Sequence, residues 1–186
     1  MIKKALFGII AIFVTFLGLS AFASTPTNAT FPHWQKSPIT VYIPKDEKSA
    51  SMRRAFSKWQ GESGGNLRFN FVEKGPADID VVFTDQVSGN DGPIGSYSVK
   101  INGMRITKGE IRILTKGQKA KKYSNNLTYT VMLHEIGHVL GMQDEPRKPT
   151  SIMYMPVTEK QDIQKFDVKK LYKVNGWSFA QRNFNN

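Results

Sequence analysis

The chain has 186 residues, with 26 lysines and arginines against 15 aspartates and glutamates, and it contains no cysteine. The formal charge of +11 favours acidic partners, such as anionic polymers, membrane headgroups or nucleic acid. Without cysteine, disulfides are excluded as a source of stability, which leaves core packing and metal binding.

The first residues have the pattern of a secretory signal peptide. Lys3 and Lys4 form a short basic region, residues 5–23 carry no charge, and Ala21-Phe22-Ala23 offers small residues at a cleavage point. We predict a signal peptide at residues 1–23 and therefore a secreted, extracellular protein. The alternative is an uncleaved membrane anchor, because the uncharged run of 19 residues could nearly span a bilayer.

After a Ser/Thr/Pro-rich flexible leader at residues 24–32, hydrophobic periodicity predicts one α+β domain over residues 33–176 and a short tail at 177–186. Apolar residues at helical spacing (Met52, Ala55, Phe56, Trp59) predict a first helix that ends near Gly64-Gly65. Strand-like runs predict a mixed sheet, and two further helices follow it. The predicted strands are 39–43, 67–72, 79–83 and 111–114, and the helices are 126–142 and 158–175.

Two loop regions have compositions that suggest ligands. Residues 86–108 are rich in Gly, Ser and Asn and predict a long loop with room for one ribbon. Asp91 in that loop is the one candidate calcium contact, although a single Asp beside glycines is typical of a plain turn. A lysine cluster (Lys116, Lys119, Lys121, Lys122) is compatible with weak association with anionic surfaces or with a merely solvated face. No recognised nucleic-acid motif accompanies it, so we expect a monomer without a specific nucleic-acid partner.

The predicted helix 126–142 carries the sequence HExxHxxGxxD. His134 and His138 lie one turn apart on the same helical face, so both imidazoles can reach one metal ion. Glu135 lies beside them, where a carboxylate can take a proton from zinc-bound water. Gly141 can end the helix in a left-handed conformation, and Asp144 can then return as a third ligand. Three protein ligands with one open position are typical of a single catalytic Zn²⁺.

With the downstream run Ser151-Ile152-Met153-Tyr154-Met155-Pro156, the motif resembles that of the metzincin clan of metallopeptidases, and within it the matrixin-like enzymes. Upstream, Ala55-Phe56-Ser57-Lys58-Trp59 and the strands after it are similar to a matrixin catalytic domain. The resemblance implies a zincin-like fold, in which a twisted mixed sheet, an active-site helix, a methionine turn at Met153 and a C-terminal helix surround the zinc. Asp144 stands where most relatives have histidine, as in snapalysin-type peptidases. The histidines of the structural zinc in many matrixins have no counterpart between Gly89 and Thr115.

The resemblance also implies a substrate-binding region. A peptide substrate would add as a strand along an edge segment at Glu110, Ile111, Arg112, Ile113 and Leu114, where main-chain pairing needs no particular sequence. Tyr154, Met155, Pro156 and Val157 would form the wall of the pocket for the side chain after the cut. Thr130 would set the depth of that pocket.

These features predict a secreted zinc-dependent endopeptidase that hydrolyses peptide bonds by zinc-activated water, with Glu135 as the general base. Its partners would be peptide or protein substrates. The alternative is an exported basic protein that keeps a structural zinc site and adheres to anionic surfaces. Glu135 argues against that alternative, because a purely structural zinc site needs no base and tends to close its fourth position.

Overall fold

The structure is a computed structural model that describes residues 31–87 and 94–178. The predicted signal peptide, residues 24–30 of the leader, Asp91 and most of the predicted tail lie outside the described residues. Over the part of the chain that is described, no helix combines the length and the apolar character needed to cross a bilayer.

A five-stranded sheet forms the body of the molecule. Its strands lie in the order β2-β1-β3-β5-β4, and β4 is antiparallel to β5 while the other pairs are parallel. Alternation of buried and half-buried residues along β1 and β3 reflects a sheet with one face in the core. The strands are β1 Ile39–Tyr42, β2 Phe69–Val72, β3 Ile79–Thr84, β4 Gly95–Asn102 and β5 Arg105–Leu114.

Residues 86–108, predicted to be a long loop with room for one ribbon, do contain a ribbon, and it occupies most of the segment. β4 and the first part of β5 form an antiparallel hairpin there, turned by Gly103 at φ 57°. The Gly, Ser and Asn content concealed this hairpin because the outward side chains of β4 face solvent and need no apolar alternation. The hairpin places β4, not β5, at the edge of the sheet.

Helices α1 (Ser49–Glu62) and α3 (Asn125–Val139) complete the core, and a short α2 (Gly117–Ala120) leads into α3. Trp59 is fully buried in the core, and its indole N–H donates to the carbonyl of Leu133 at 2.9 Å. Trp34 makes the equivalent bond to the carbonyl of Val139 at 2.8 Å. These two bonds tie α1 and the N-terminal segment to the helix that carries the metal motif.

The final helix, α4, spans Lys165–Asn175 and begins seven residues later than the predicted start at Thr158. Gln164 and Asp167 form the capping box of this helix, and Gly176 ends it at φ 66°. The predicted start was based on the spacing of Thr158 and Gln161, which fits a capping box. The Thr158 N–H does donate to Gln161 Oε1 at 2.8 Å, but the two residues close an isolated turn. The arrangement of helices on a mixed sheet confirms the predicted α+β class.

Candidate metal centre

The two histidines of the motif converge on one point. His134 and His138 lie on consecutive turns of α3, and their Nε2 atoms are 3.0 Å apart. Two imidazoles on one tetrahedral zinc ion, with Zn–N near 2.0–2.1 Å, place their nitrogens about 3.3 Å apart. Burial lowers the pKa of both rings from the usual value, so each ring is neutral at pH 7 and keeps a free electron pair for a metal.

Backbone carbonyls fix the orientation of both rings. His134 Nδ1 lies 2.8 Å from the carbonyl oxygen of Ile152, and His138 Nδ1 lies 3.0 Å from that of Met142. A carbonyl can only accept, so each Nδ1 carries the proton and donates. Each Nε2 is then left as the coordinating atom, which is the usual arrangement of histidine at a metal.

Asp144 reaches the same point from the loop after α3. Its Oδ1 lies 3.3 Å from His138 Nε2 and 3.6 Å from His134 Nε2. Gly141 makes this return possible, because it turns the chain at φ 92°, in the left-handed region. A Cβ at residue 141 would also overlap the carbonyl oxygen of Pro32, so two constraints require glycine there.

Met153 lies under the histidine pair. Its side chain is fully buried and faces Gly137, which lies between the two histidines in the sequence. A Cβ at residue 137 would overlap Met153 Sδ and lie 3.1 Å from Cε, so only glycine leaves room for this methionine. The preceding residue, Ile152, provides the carbonyl that holds His134.

Glu135 is almost completely buried beside the three candidate ligands. Burial and the negative charge of Asp144 raise its pKa to about 8. A divalent cation at the neighbouring ligands opposes this shift, because it favours the carboxylate form. The carboxylate packs against Gly95 at the start of β4, where a Cβ would lie only 2.8 Å from both Glu135 Cγ and Oε1.

Two residues of the site were missed in the sequence analysis. Tyr97 of β4 stacks on the His138 ring, with centroids 4.1 Å apart and planes inclined by 10°. Gly95 provides the space for Glu135. Both lie in the segment predicted to be a loop, and an alternating pattern in Gly95-Ser96-Tyr97-Ser98-Val99 was the available signal.

The structure does not bring all of the predicted substrate residues to the cleft. β5 pairs with β3 on one side and β4 on the other, so Glu110 to Leu114 are not an edge, and that part of the prediction is wrong. Ile111 and Ile113 are fully buried in the core, Leu114 is almost so, and Glu110 pairs with Arg112 at 3.2 Å.

The segment after Met153 is more exposed. Met155 is 53% exposed, and Tyr154 and Val157 are half-buried. The side-chain amide of Gln161 donates to the carbonyls of Tyr154 at 3.2 Å and Pro156 at 3.3 Å, which fixes the course of this segment. Thr130 is buried and donates to the carbonyl of Asn126 within its own helix, at 3.1 Å.

The donor set fits a zinc ion. One ligand atom from each of His134, His138 and Asp144 lies within 4.8 Å of the others. Among the described residues, these three side chains form a cluster that could hold a metal ion. Two neutral imidazoles and a carboxylate are ligands that zinc accepts. Their number leaves one coordination position for water or substrate, as in catalytic zinc sites.

Comparisons with known proteins agree with this geometry. The family model of matrixin matches residues 25–175. The chain is 27% identical to interstitial collagenase of Oryctolagus cuniculus over 135 residues, which are 67% of this chain and 28% of that protein. It is 26% identical to macrophage metalloelastase of the same organism over 134 residues, 66% of this chain and 28% of that protein. The chain thus spans little more than a quarter of the length of these relatives. It belongs to the matrixin family, as the resemblance of its motif predicted.

Proposed function

We propose that the protein is a zinc endopeptidase that cleaves peptides bound along the β4 edge of its sheet. Membership of the matrixin family supports zinc-dependent peptidase activity in general. The observation that carries the specific proposal is the buried Glu135 carboxylate beside three converging ligands. A site that only stabilised the fold would gain nothing from a buried acidic side chain that is not a ligand.

His134, His138 and Asp144 would hold the zinc ion. When bound, zinc supplies a Lewis acid that polarises a carbonyl and lowers the pKa of water. Glu135 then accepts a proton from the attacking water and delivers it to the departing amine. Its burial keeps bulk water away, which strengthens its interactions with the reacting groups.

The β4 strand offers the binding edge for an extended peptide. It is the outer strand of the sheet, and its residues Gly95 and Tyr97 contact Glu135 and His138 respectively. A peptide paired with β4 would therefore pass over the metal ligands, and main-chain hydrogen bonds would hold it without a strict sequence requirement. Tyr154, Met155, Pro156 and Val157 would bound the pocket for the side chain after the cut.

We also propose that the protein acts outside the cell. The basic and apolar pattern of residues 1–23 supports export by a signal peptide. Mass spectrometry of the protein recovered from the medium would show a new N-terminus at Ser24. An unprocessed chain retained in the membrane fraction would support the anchor instead.

The proposed activity is tested with a mixed peptide library incubated with the zinc-loaded protein, its products read by mass spectrometry. The parent and a Glu62→Ala control, altered at an exposed residue of α1, should cut the same bonds. Glu135→Ala should bind zinc yet cut none, a loss of at least 10²–10⁴-fold for a missing general base. Hydrolysis retained by Glu135→Ala would refute the assigned base. Zinc binding without hydrolysis by any of the three proteins would favour the non-enzymatic alternative.

A further inference from the structure

The third candidate ligand, Asp144, lies on the loop after α3, whereas the two histidines lie on the helix itself. The side chain of Asp144 is 54% exposed, so its own packing does little to fix the carboxylate. The position of the carboxylate therefore depends on the course of the backbone at residues 142–145. A metal ligand must be held to within about 0.5 Å of its working position, so this backbone needs firm support.

The two ends of this loop are held by the metal-binding helix and by the methionine turn. The carbonyl of Met142 accepts from His138 Nδ1 at 3.0 Å. The N–H of Glu145 donates to the carbonyl of Met153 at 2.7 Å. Residues 143 and 144 lie between these two attachments and need a support of their own.

Lys170 of α4 contacts both of these residues. Its Nζ donates to the carbonyl of Gln143 at 2.7 Å and to that of Asp144 at 3.3 Å, and it lies 3.9 Å from Glu145 Oε2. An ammonium group carries three donors, so one lysine can hold two carbonyls and also face a carboxylate. Within the described residues, the Asp144 carboxylate contacts the two histidines and forms no ion pair with Lys170, so it stays free for a metal ion.

We propose that Lys170 is a positioning residue that fixes the third metal ligand by holding the loop that carries Asp144. This inference rests on the proposed ligand set and not on peptide hydrolysis. Groups that orient metal ligands contribute to metal affinity although they do not touch the ion. The contacts of Lys170 are with the backbone, so its effect on the metal passes through the position of Asp144.

The first test measures zinc affinity by competition between the metal-free protein and a chromophoric chelator. Lys170→Met keeps the length of the side chain but removes its donors, and it should weaken zinc binding by about 10- to 100-fold. Lys170→Arg keeps the charge and several donors and should recover at least part of the affinity. Lys169→Met, an exposed change at the preceding residue, is the matched control and should change the affinity less than twofold. Lys170→Gln, whose side chain is shorter by one atom, replaces Lys170→Met if that variant does not fold.

A double-mutant cycle shows whether Lys170 acts through Asp144. Asp144→Ala should weaken zinc binding, and Lys170→Met should then cost little further affinity in the Asp144→Ala background. An equal cost of Lys170→Met in both backgrounds would overturn the proposal, because Lys170 would then support the site by another route. Zinc affinity that falls in Asp144→Ala but not in Lys170→Met would also overturn it.

The visible spectrum of bound Co²⁺ gives a second readout, because it responds to the number and geometry of the ligands. The spectrum of Lys170→Met should move toward that of Asp144→Ala, while that of Lys169→Met should match the parent. A parent-like spectrum in Lys170→Met would mean that Asp144 keeps its position without Lys170, and the proposal would be wrong.

These measurements separate the proposal from the proposed activity. If the predicted changes in affinity and spectrum are found but the zinc-loaded parent cleaves no peptide, the peptidase function fails and the role of Lys170 stands. If Asp144→Ala leaves both zinc affinity and the Co²⁺ spectrum unchanged, the assignment of Asp144 as a ligand fails, and the role of Lys170 fails with it.

Discussion

Gly95 shows how one residue without a side chain can control the candidate base. A Cβ at this position would lie 2.5 Å from Val131 Cγ1 and 2.8 Å from Glu135 Oε1, both on α3. These distances are too short for real contacts, so either the strand or Glu135 must move. Glycine at residue 95 therefore lets the sheet edge and the active-site helix approach closely.

We predict that Gly95→Ala lowers kcat at least tenfold while zinc affinity changes less than twofold. The overlapping atoms belong to Val131 and Glu135 and not to the three ligands, and small misplacements of reacting groups cost large factors in rate. Stopped-flow hydrolysis and zinc competition with a chromophoric chelator measure the two quantities. Parallel losses of rate and zinc affinity would show that the whole site moves, contrary to this account.

Gly137 tests the role of the methionine beneath the histidines. We predict that Gly137→Ala destabilises the protein by about 1–3 kcal/mol, the usual cost of overpacking, because the added methyl group overlaps Met153 Sδ. Urea unfolding of the metal-free protein measures this cost. The double variant Gly137→Ala/Met153→Ala should lose less stability than the sum of the two single losses, because the overlap disappears when Met153 is truncated. An additive double variant would show that the two side chains do not compete for space.

At the scale of elements, α4 is connected to the metal site through Asp167. This fully buried carboxylate accepts from the Ser151 hydroxyl, from the Ile152 N–H at 3.2 Å and from the Gln164 N–H at 2.9 Å. Ile152 in turn holds His134 through its carbonyl. The start of α4 thus fixes the turn that orients a metal-ligand candidate, so Asp167 is a positioning residue.

We expect Asp167→Ala to weaken zinc binding by about 10- to 100-fold, the range found when groups supporting metal ligands are removed. Asp167→Asn keeps one acceptor oxygen and should recover part of the affinity. Lys165→Gln, an exposed change in the first turn of α4, serves as the control. Loss of stability with unchanged zinc affinity would mean that Asp167 is structural only.

The elements also show which parts of the structure could be predicted from sequence. Elements α1, β1 and β3 each bury one apolar face, so the periodicity of their apolar residues predicted them. The spacing of His134, His138 and Asp144 predicted that these three side chains converge. The β4 strand has an edge position with few buried side chains, so its pattern was weak.

Helix starts were harder to predict than helix faces. Thr158 and Gln161 satisfied a capping-box pattern in an isolated turn, because that pattern reports local hydrogen bonds and does not require a helix after them. Ser124 is the N-cap of α3, and Asn125 and Asn126 directly after it are also residue types that favour this position. Several polar residues near a helix start can each accept a backbone N–H, so the sequence alone does not select one.

At the scale of the whole molecule, polar contacts join the strands at one end of the sheet. Asp78, just before β3, accepts from the Thr40 N–H at 2.8 Å, from the Thr40 hydroxyl at 2.7 Å and from Lys36 at 2.7 Å. Although burial acts in the opposite direction, these hydrogen bonds and the Lys36 charge hold the pKa of Asp78 below its usual value. The folded state therefore prefers the charged carboxylate.

Because the pKa of Asp78 is lowered in the folded state, we predict that the effect of Asp78→Asn on the free energy of unfolding depends on pH. The parent should be more stable than the variant by about 1.5–3 kcal/mol at pH 7, the range for hydrogen bonds to a charged group. A lowered folded-state pKa means that this advantage is complete above the unfolded pKa near 3.9 and is lost as pH falls through the folded value. Urea unfolding of both proteins at matched pH measures the difference. A gap that persists unchanged at pH 2 would contradict the assignment.

The central claim is that one zinc ion on His134, His138 and Asp144, with Glu135 as base, hydrolyses peptides. The most direct measurement is a titration of metal-free protein with zinc, in which bound metal and peptide hydrolysis are followed together in the parent and in Glu135→Ala. We predict that hydrolysis by the parent rises to a plateau at one equivalent of zinc, and that Glu135→Ala takes up the same equivalent without hydrolysis. Hydrolysis by the metal-free parent, or by zinc-loaded Glu135→Ala, would contradict the account.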